Sequence, residues 1–183
     1  MERQTLHDEM EAARLTFVRL AAGAGHAELR RRSSGTRWTN RQLLFHMVLG
    51  YLIIRALGNL VRLFSRLPRS ASRRFAAVLN AATPLFDQIN YVGSWAGGQA
   101  LTPARMCRLL DRTVAALHRR LDVESERDLA RGMHYPTRWD PFFHDFMTLA
   151  EVYHFPTQHF DFHRRQLTLG VASAPEQGPE SGS

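Results

Sequence analysis

Three histidines combine the residue type and the spacing that a metal site needs. His159 and His163 are four residues apart, so on a helix both imidazoles project from one face at neighbouring heights. His46 belongs to the apolar stripe of a different helical segment and is expected to face the interior, where an isolated imidazole needs a partner. Together, His46, His159 and His163 predict a site for one divalent metal ion.

The spacing of His159 and His163 is weak evidence when it stands alone. The chain has nine histidines among 183 residues, and roughly 0.4 pairs with this spacing are expected by chance. A hydrogen-bonded core histidine next to a surface histidine gives the same pattern. The inward position of His46 on a second helix favours a metal site, because facing helices in a bundle are rigid supports for ligands.

Four segments of the chain keep the apolar period of a helix. They cover residues 6–24, 43–64, 103–121 and 141–167. Thr102 and Pro103 are typical of a helix cap and a first helical position, and Asp140 and Pro141 repeat that signal before the fourth segment. Pro156 removes one backbone hydrogen bond from the fourth segment, which predicts a kink or a break just before the histidine pair. The segments predict an all-α fold, a four-helix bundle.

Residues 70–101 form an insertion between the second and third helical segments. The cap signal at Thr83 predicts helical pieces within it. Three glycines near its end predict a flexible loop: Gly93, Gly97 and Gly98. Residues 1–169 are therefore expected to be one helical domain, whereas residues 170–183 are small, polar and rich in Pro and Gly, which predicts a disordered tail.

Composition narrows the classes of partner and the cellular location. The net charge of +7 comes from arginine, because the chain has no lysine. No nucleic-acid partner is predicted, since the chain shows neither interleaved aromatics nor a nucleic-acid-binding motif. A single cysteine, Cys107, excludes an internal disulfide and indicates a reducing compartment. The start of the chain is charged, and the longest apolar run, residues 47–54, is too short to span a bilayer, so we expect a cytoplasmic protein without membrane contact.

Two stretches of the chain resemble the DinB-like family of bacterial metalloproteins. The stretch from Trp38 to Met47, WTNRQLLFHM, is similar to the Trp-Ser/Thr segment that precedes the first metal histidine of that family. The stretch from His159 to Leu167, HFDFHRRQL, resembles the family's closing His-x-x-x-His segment, Gln166 included. The two stretches occur in the order that the family uses, and the similarity covers residues 5–168.

The resemblance implies both a topology and a cofactor. It implies an up-down-down-up four-helix bundle in which His46, His159 and His163 bind zinc, nickel or a related divalent ion. Characterised relatives include S-transferases that use mycothiol or bacillithiol, a maleylpyruvate isomerase that needs mycothiol, and metal-dependent hydrolases. The resemblance supports the metal site better than any one reaction, because a single fold hosts many functions.

The number of ligands points to catalysis. Three neutral imidazoles leave an ion at least one open coordination position, which is typical of catalytic sites, and a thiol or a water molecule ionises readily there. The preferred hypothesis is a transferase that joins a low-molecular-weight thiol such as mycothiol to a small electrophile. The alternatives are a metal-dependent hydrolase, lyase or isomerase that uses no thiol, and a non-catalytic bundle that binds a ligand.

Further residues are candidates for contact with a small-molecule substrate. Gln42 lies one turn before His46 and could support that ligand or touch the substrate. Tyr91 and Trp95 lie in the insertion, which could be a substrate-specific lid or only a longer connection. Arginines near the mouth of the site could hold anionic groups. Exposed apolar seams are compatible with a homodimer.

Overall fold

The computed structural model describes residues 2–170, and these contain eight helices and one small sheet. The helices are α1 (Arg3–Gly23), α2 (His26–Arg30), α3 (Asn40–Phe64), α4 (Arg69–Ala81), α5 (Thr83–Ala100), α6 (Pro103–Asp122), α7 (Glu126–Leu129) and α8 (Leu149–Arg164). The strands are β1 (Gly132–His134) and β2 (Phe146–Thr148). The predicted disordered tail lies outside the described residues from residue 171 onward.

Helices α1, α3, α6 and α8 correspond to the four segments predicted from the apolar period. Helix α1 buries one stripe whose members are spaced by four and three residues: Leu6, Met10, Ala13, Phe17 and Ala21. Helix α6 begins as predicted, because the Thr102 side chain accepts a hydrogen bond from the Arg105 backbone N–H and Pro103 follows the cap. Local capping and a single buried stripe therefore explain both helices.

The contacts between long helices establish two antiparallel pairs. His7, near the start of α1, lies against His118, near the end of α6. His46, in the first third of α3, faces His163 at the end of α8. Helix α1 therefore runs opposite to α6, and α3 runs opposite to α8.

A parallel pair completes the bundle. Arg41, at the start of α3, donates to the carbonyl of Leu101 just before α6, and Arg62, near the end of α3, pairs with Glu124 just after α6. The order is therefore up-down-down-up, as the family resemblance implied. Because α3 and α6 are parallel, the chain must return along the bundle between them, and α4 and α5 make that return.

Helix α5 replaces the flexible loop that the glycines predicted. The helix runs through Gly93, Gly97 and Gly98. A Cβ added at Gly97 would lie 2.1 Å from the Phe45 ring, and one at Gly98 would lie 2.7 Å from Cα of Gln42. The expectation of a loop was wrong because two of these glycines allow α5 to approach α3 closely, which a sequence pattern does not distinguish from chain breaking.

Helix α8 begins later than predicted. Thr148 caps it and forms a reciprocal capping box with Glu151. Asp140 does not start a helix; its Oδ1 accepts a hydrogen bond from the Phe142 backbone N–H in a turn. The helix continues through Pro156 as one assigned element from Leu149 to Arg164, so the break expected at that proline is absent. Residues 141–148 form instead a turn and strand β2.

A short two-stranded sheet directly precedes α8. Strands β1 and β2 pair antiparallel, with Met133 opposite Met147. The sequence shows no strand-like alternation, so no strand was expected. Three residues per strand are too few to display an alternating pattern, which explains the omission.

Helix α3 lies at the centre of the fold. It contacts α5, α6 and α8. By length and composition alone, it is the one helix among residues 2–170 that could cross a membrane, and half of the qualifying window is buried inside the bundle. Burial of this kind is what the core helix of a bundle presents, so the finding is weak evidence for a membrane. The cytoplasmic location stays a prediction.

Candidate metal centre

The three predicted histidines converge in the bundle interior. Their ring nitrogens can be chosen so that all three lie within 4.8 Å of one another. The Nε2 atoms of His46 and His163 are 3.1 Å apart, close to the separation of about 3.4 Å between two ligands of a tetrahedral zinc ion. His159 Nε2 is buried and has no hydrogen-bond partner. A buried imidazole nitrogen without a partner is costly, so the cluster fits a divalent metal ion.

Each imidazole is oriented by a different residue on its other nitrogen. Ser94 Oγ lies 3.1 Å from Nδ1 of His46, Asp140 Oδ2 lies 2.9 Å from that of His159, and Gln166 Oε1 lies 2.6 Å from that of His163. An oxygen acceptor on Nδ1 holds the proton there and leaves Nε2 with a free lone pair. The carboxylate of Asp140 and the amide oxygen of Gln166 can only accept, so they select this tautomer at His159 and His163, and the Ser94 hydroxyl is able to accept from His46 in the same way.

Burial keeps two of the imidazoles neutral. His46 is 5% exposed, and this burial, with the nearby His159 and His163, lowers its pKa well below the ordinary value, while Asn90 acts in the opposite direction. Burial and His159 lower the pKa of His163 to about 4, against the opposing effect of Gln166 and Asp140. Both side chains are therefore available as neutral ligands at pH 7.

Trp38 and Gly50 restrict the positions of two of the histidine rings. The Trp38 ring stacks on that of His46, with centroids 4.4 Å apart. Gly50 lies against His159, because a Cβ added at this glycine would be 2.9 Å from Cδ2 of the imidazole. Any larger residue at position 50 would displace the ring, so α3 positions both its own ligand and one ligand of α8.

A cavity of about 420 Å³ opens onto the triad. Its lining comes from the residue before the α3 cap, from α3, α5 and α8, and from the turn before β2: Trp38, His46, Leu49, Gly50, Ile53, Ala56, Leu57, Phe86, Asn90, Trp139, Asp140, Pro141, Phe142, Phe143, Phe155, His159, Phe162 and His163. Seven of these residues are Phe or Trp. The lining residues from the described part of the chain contain no arginine, so the expected arginines at the mouth are not found there.

The other predicted substrate contacts lie outside the lining of this cavity. Gln42 is buried at the start of α3, where its side-chain oxygen accepts from the Thr39 backbone N–H. Tyr91 stacks behind Trp38, with ring centroids 6.2 Å apart. Trp95 is 49% exposed on α5. Their proposed contact with substrate therefore stays a prediction, and α5 presents Phe86 and Asn90 to the cavity instead.

Sequence reasoning missed two of the residues that orient the histidines. Asp140 was interpreted as a helix cap, and Ser94 lay in a segment that was expected to be a loop. Residues 141–143, which supply part of the cavity wall, were predicted to belong to a helix. Gln166 belonged to the closing motif, and its hydrogen bond to His163 gives that motif position a physical reason. The available signal in the sequence was the single carboxylate, Asp140, between the aromatic residues Trp139 and Phe142.

The fold and the triad together define an all-α bundle with a candidate metal centre in its core. A family model for the DinB superfamily matches residues 9–167. The match covers most of the chain, so the protein belongs to the DinB superfamily, which includes metal-dependent enzymes. No curated protein and no solved structure matched the chain.

Proposed function

We propose that this protein is a metal-dependent transferase that joins a low-molecular-weight thiol, such as mycothiol, to a small electrophilic substrate in detoxification or specialised metabolism. One observation carries the proposal. Among the described residues that line the cavity, the titratable side chains are the three histidines and Asp140, which is hydrogen-bonded to His159. No side chain of the described lining is free to act as a nucleophile or as an independent general base, which supports a nucleophile supplied by a cosubstrate.

A divalent ion held by His46, His159 and His163 would supply a Lewis acid with an open position, which favours ionisation of a thiol over that of water because the ordinary pKa of a thiol is far below that of water. The residues of the chain do the remaining work. Ser94, Asp140 and Gln166 hold the imidazoles in place, which limits reorganisation during the reaction. The aromatic walls restrict bulk water near the nucleophile.

The proposal is tested with cobalt-substituted protein titrated with mycothiol. We expect a sulfur-to-cobalt charge-transfer band that saturates as the thiol binds. The variant Cys107→Ser is the matched background, because Cys107 is the only cysteine of the chain and burial raises the pKa of its thiol. The band should persist in Cys107→Ser and disappear in His163→Ala.

A hydrolase, lyase or isomerase would behave differently in the same experiment. No physiological thiol would perturb the cobalt spectrum, and the substrate would be converted at full rate in buffer without thiol. That pair of results would refute the transferase proposal.

A further inference from the structure

The cavity beside the triad is lined mostly by aromatic and aliphatic side chains, which cannot compensate a charge. Phe86 and Trp139 stack face to face, with ring centroids 4.0 Å apart and planes 7° from parallel. Phe142 and Phe162 meet edge to face at 5.8 Å. These rings come from α5, α8 and the turn between the strands, so aromatic surface faces the cavity from several sides. A bound molecule would exchange water for rings over most of its surface.

The polar groups of the lining are nearly all engaged. The indole N–H of Trp38 donates to the Tyr91 carbonyl, and that of Trp139 donates to the Leu79 carbonyl. Asn90 is the one neutral polar side chain of the described lining without such a backbone acceptor, and it lies beside His46. Hydrogen-bonding capacity is therefore concentrated at the metal end, and the rest of the cavity is apolar.

The distribution of charge follows the same division. The single carboxylate of the described lining, Asp140, lies 2.9 Å from Nδ1 of His159. Apart from the three histidines, the described lining contains no side chain that can carry a positive charge. An anionic group placed away from the triad would lose its water without gaining a counter-charge, which is unfavourable.

From these observations we infer that the cavity binds a neutral, aromatic small molecule of one or two rings, with any polar group directed towards Asn90 and the histidines. The volume of about 420 Å³ lies at the lower end of the range of small-molecule sites, which sets the size. This inference rests on the proposed function, since it names the class of the electrophilic substrate. The substrate is recognised by its rings and by the absence of charge on its body.

Two probes with the same ring system test the inference on the zinc-loaded full chain. Naphthalen-2-ylmethanol is neutral, and naphthalene-2-sulfonate carries a charge on a group that is a poor zinc ligand. In calorimetric titrations we expect the neutral compound to bind at least about tenfold more tightly than the sulfonate, because the aromatic walls offer the sulfonate no counter-charge and the sulfonate is a poor ligand for the zinc. Equal or tighter binding of the sulfonate, or no binding of either compound, would overturn the inference.

A pair of matched variants places the binding in the cavity. Ile53→Asp introduces a charge into the lining, and Ile89→Asp introduces the same charge on the outer face of α5, where Ile89 is 61% exposed. Ile53→Asp should weaken binding of the neutral compound by at least about tenfold, and Ile89→Asp should leave it unchanged. If Ile53→Asp does not fold, as circular dichroism would reveal, the comparison of the two probes on the unaltered chain still decides.

The result is separable from that of the thiol titration. If the neutral ring compound binds while thiols leave the cobalt spectrum unchanged, the transferase proposal fails and the substrate class stands. If thiols bind cobalt and neither ring compound binds, the substrate class is wrong and the transferase proposal stands.

Discussion

Two clusters of histidines lie between packed helices of this bundle, and they differ in which ring nitrogens face the neighbouring imidazole. In the triad, each Nδ1 meets an oxygen acceptor and the Nε2 side faces the other imidazoles. Between α1 and α6, His7 and His118 stack with centroids 4.7 Å apart and bring their Nδ1 atoms within 2.5 Å of each other. The Nε2 of His7 is 3.0 Å from Asp122.

The difference shows that proximity of imidazoles does not make a metal site. His7 and His118 use the nitrogens that face each other, and no third ligand of the described residues joins them within reach of one ion. The triad has a third ligand, an unpartnered Nε2 on His159 and a cavity at its open side. A third converging ligand, an unpartnered inner nitrogen and an adjoining cavity therefore distinguish a candidate metal centre from a packing contact.

The largest expected effect is loss of the metal when a ligand is removed. His46→Ala, His159→Ala and His163→Ala should each lower zinc affinity by well over about 100-fold, which exceeds the usual cost of removing a supporting residue. Elemental analysis of the purified variants provides the measurement. His118→Ala is the control from the other cluster and should keep the metal content of the unaltered chain; full occupancy in all three triad variants would contradict the site.

Acid should destabilise the metal-free chain through the triad. The pKa of His163 is lowered from 6.5 to about 4 in the folded state, so the unfolded state takes up a proton first as the pH falls. This contribution is fully present above pH 6.5 and is lost between about pH 6.5 and 4, amounting to roughly 3 kcal/mol. Urea denaturation of metal-free protein at pH 7 and pH 5 measures it.

A variant of each cluster separates this contribution from other acid effects. His163→Gln should flatten the dependence of unfolding free energy on pH, since the group that titrates is gone. Burial and His7 also lower the pKa of His118, but that side chain is less buried, so His118→Gln should flatten the curve less. Identical pH dependence in the unaltered chain and in His163→Gln would count against a neutral buried imidazole at that position.

Removal of the charge that orients His159 should have a smaller effect. Asp140→Asn keeps the shape and an acceptor oxygen but loses the negative charge, so zinc affinity should fall by about 10- to 100-fold. Competition with a chromogenic zinc chelator measures the change. Asp145→Asn is the matched control, because Asp145 lies 3.2 Å from His134, outside the triad. If both variants bind zinc like the unaltered chain, Asp140 has no role in positioning the ligand.

The smallest effect compares two glycines within helices. Gly50→Ala places a Cβ 2.9 Å from the His159 ring and should weaken zinc binding by roughly tenfold, because the ring must move. Gly93→Ala meets nothing within 4 Å and should raise the unfolding free energy by about 0.5–1 kcal/mol without changing zinc affinity. Chelator competition and urea denaturation distinguish these outcomes; equal zinc affinity in both variants would remove the proposed role of Gly50.

Periodicity was enough to predict the bundle helices α1, α3, α6 and α8, apart from the start of α8, and the inward triad, because these features depend on residues close in sequence. His159 and His163 share a face by spacing alone, and the apolar stripe of α3 places His46 opposite them. The family resemblance supplied the up-down-down-up order. These features could be obtained from the sequence without knowledge of any long-range contact.

The surroundings of the triad could not be predicted in the same way. Asp140 orients His159 from a turn, and Ser94 orients His46 from the crossover helix, so neither contact has a periodic signature. Gly97 was misinterpreted because close packing of α5 on Phe45 and chain breaking call for the same residue. Thr148, rather than Asp140, caps α8; both positions carry a local cap signal, and tertiary packing decides between them.

The packing of α1 against helices that are translated much later has a consequence for synthesis on the ribosome. Helix α1 contacts α6 and α8, both of which come much later in the chain. At about 5–20 residues per second, roughly 5–20 s pass after α1 is made before α6 has been translated. The apolar stripe of the nascent α1 lacks these two packing surfaces during that time. Since α8 also carries His159 and His163, the same helix completes both the bundle and the triad, so the three-histidine site can bind a metal only after α8 has been translated.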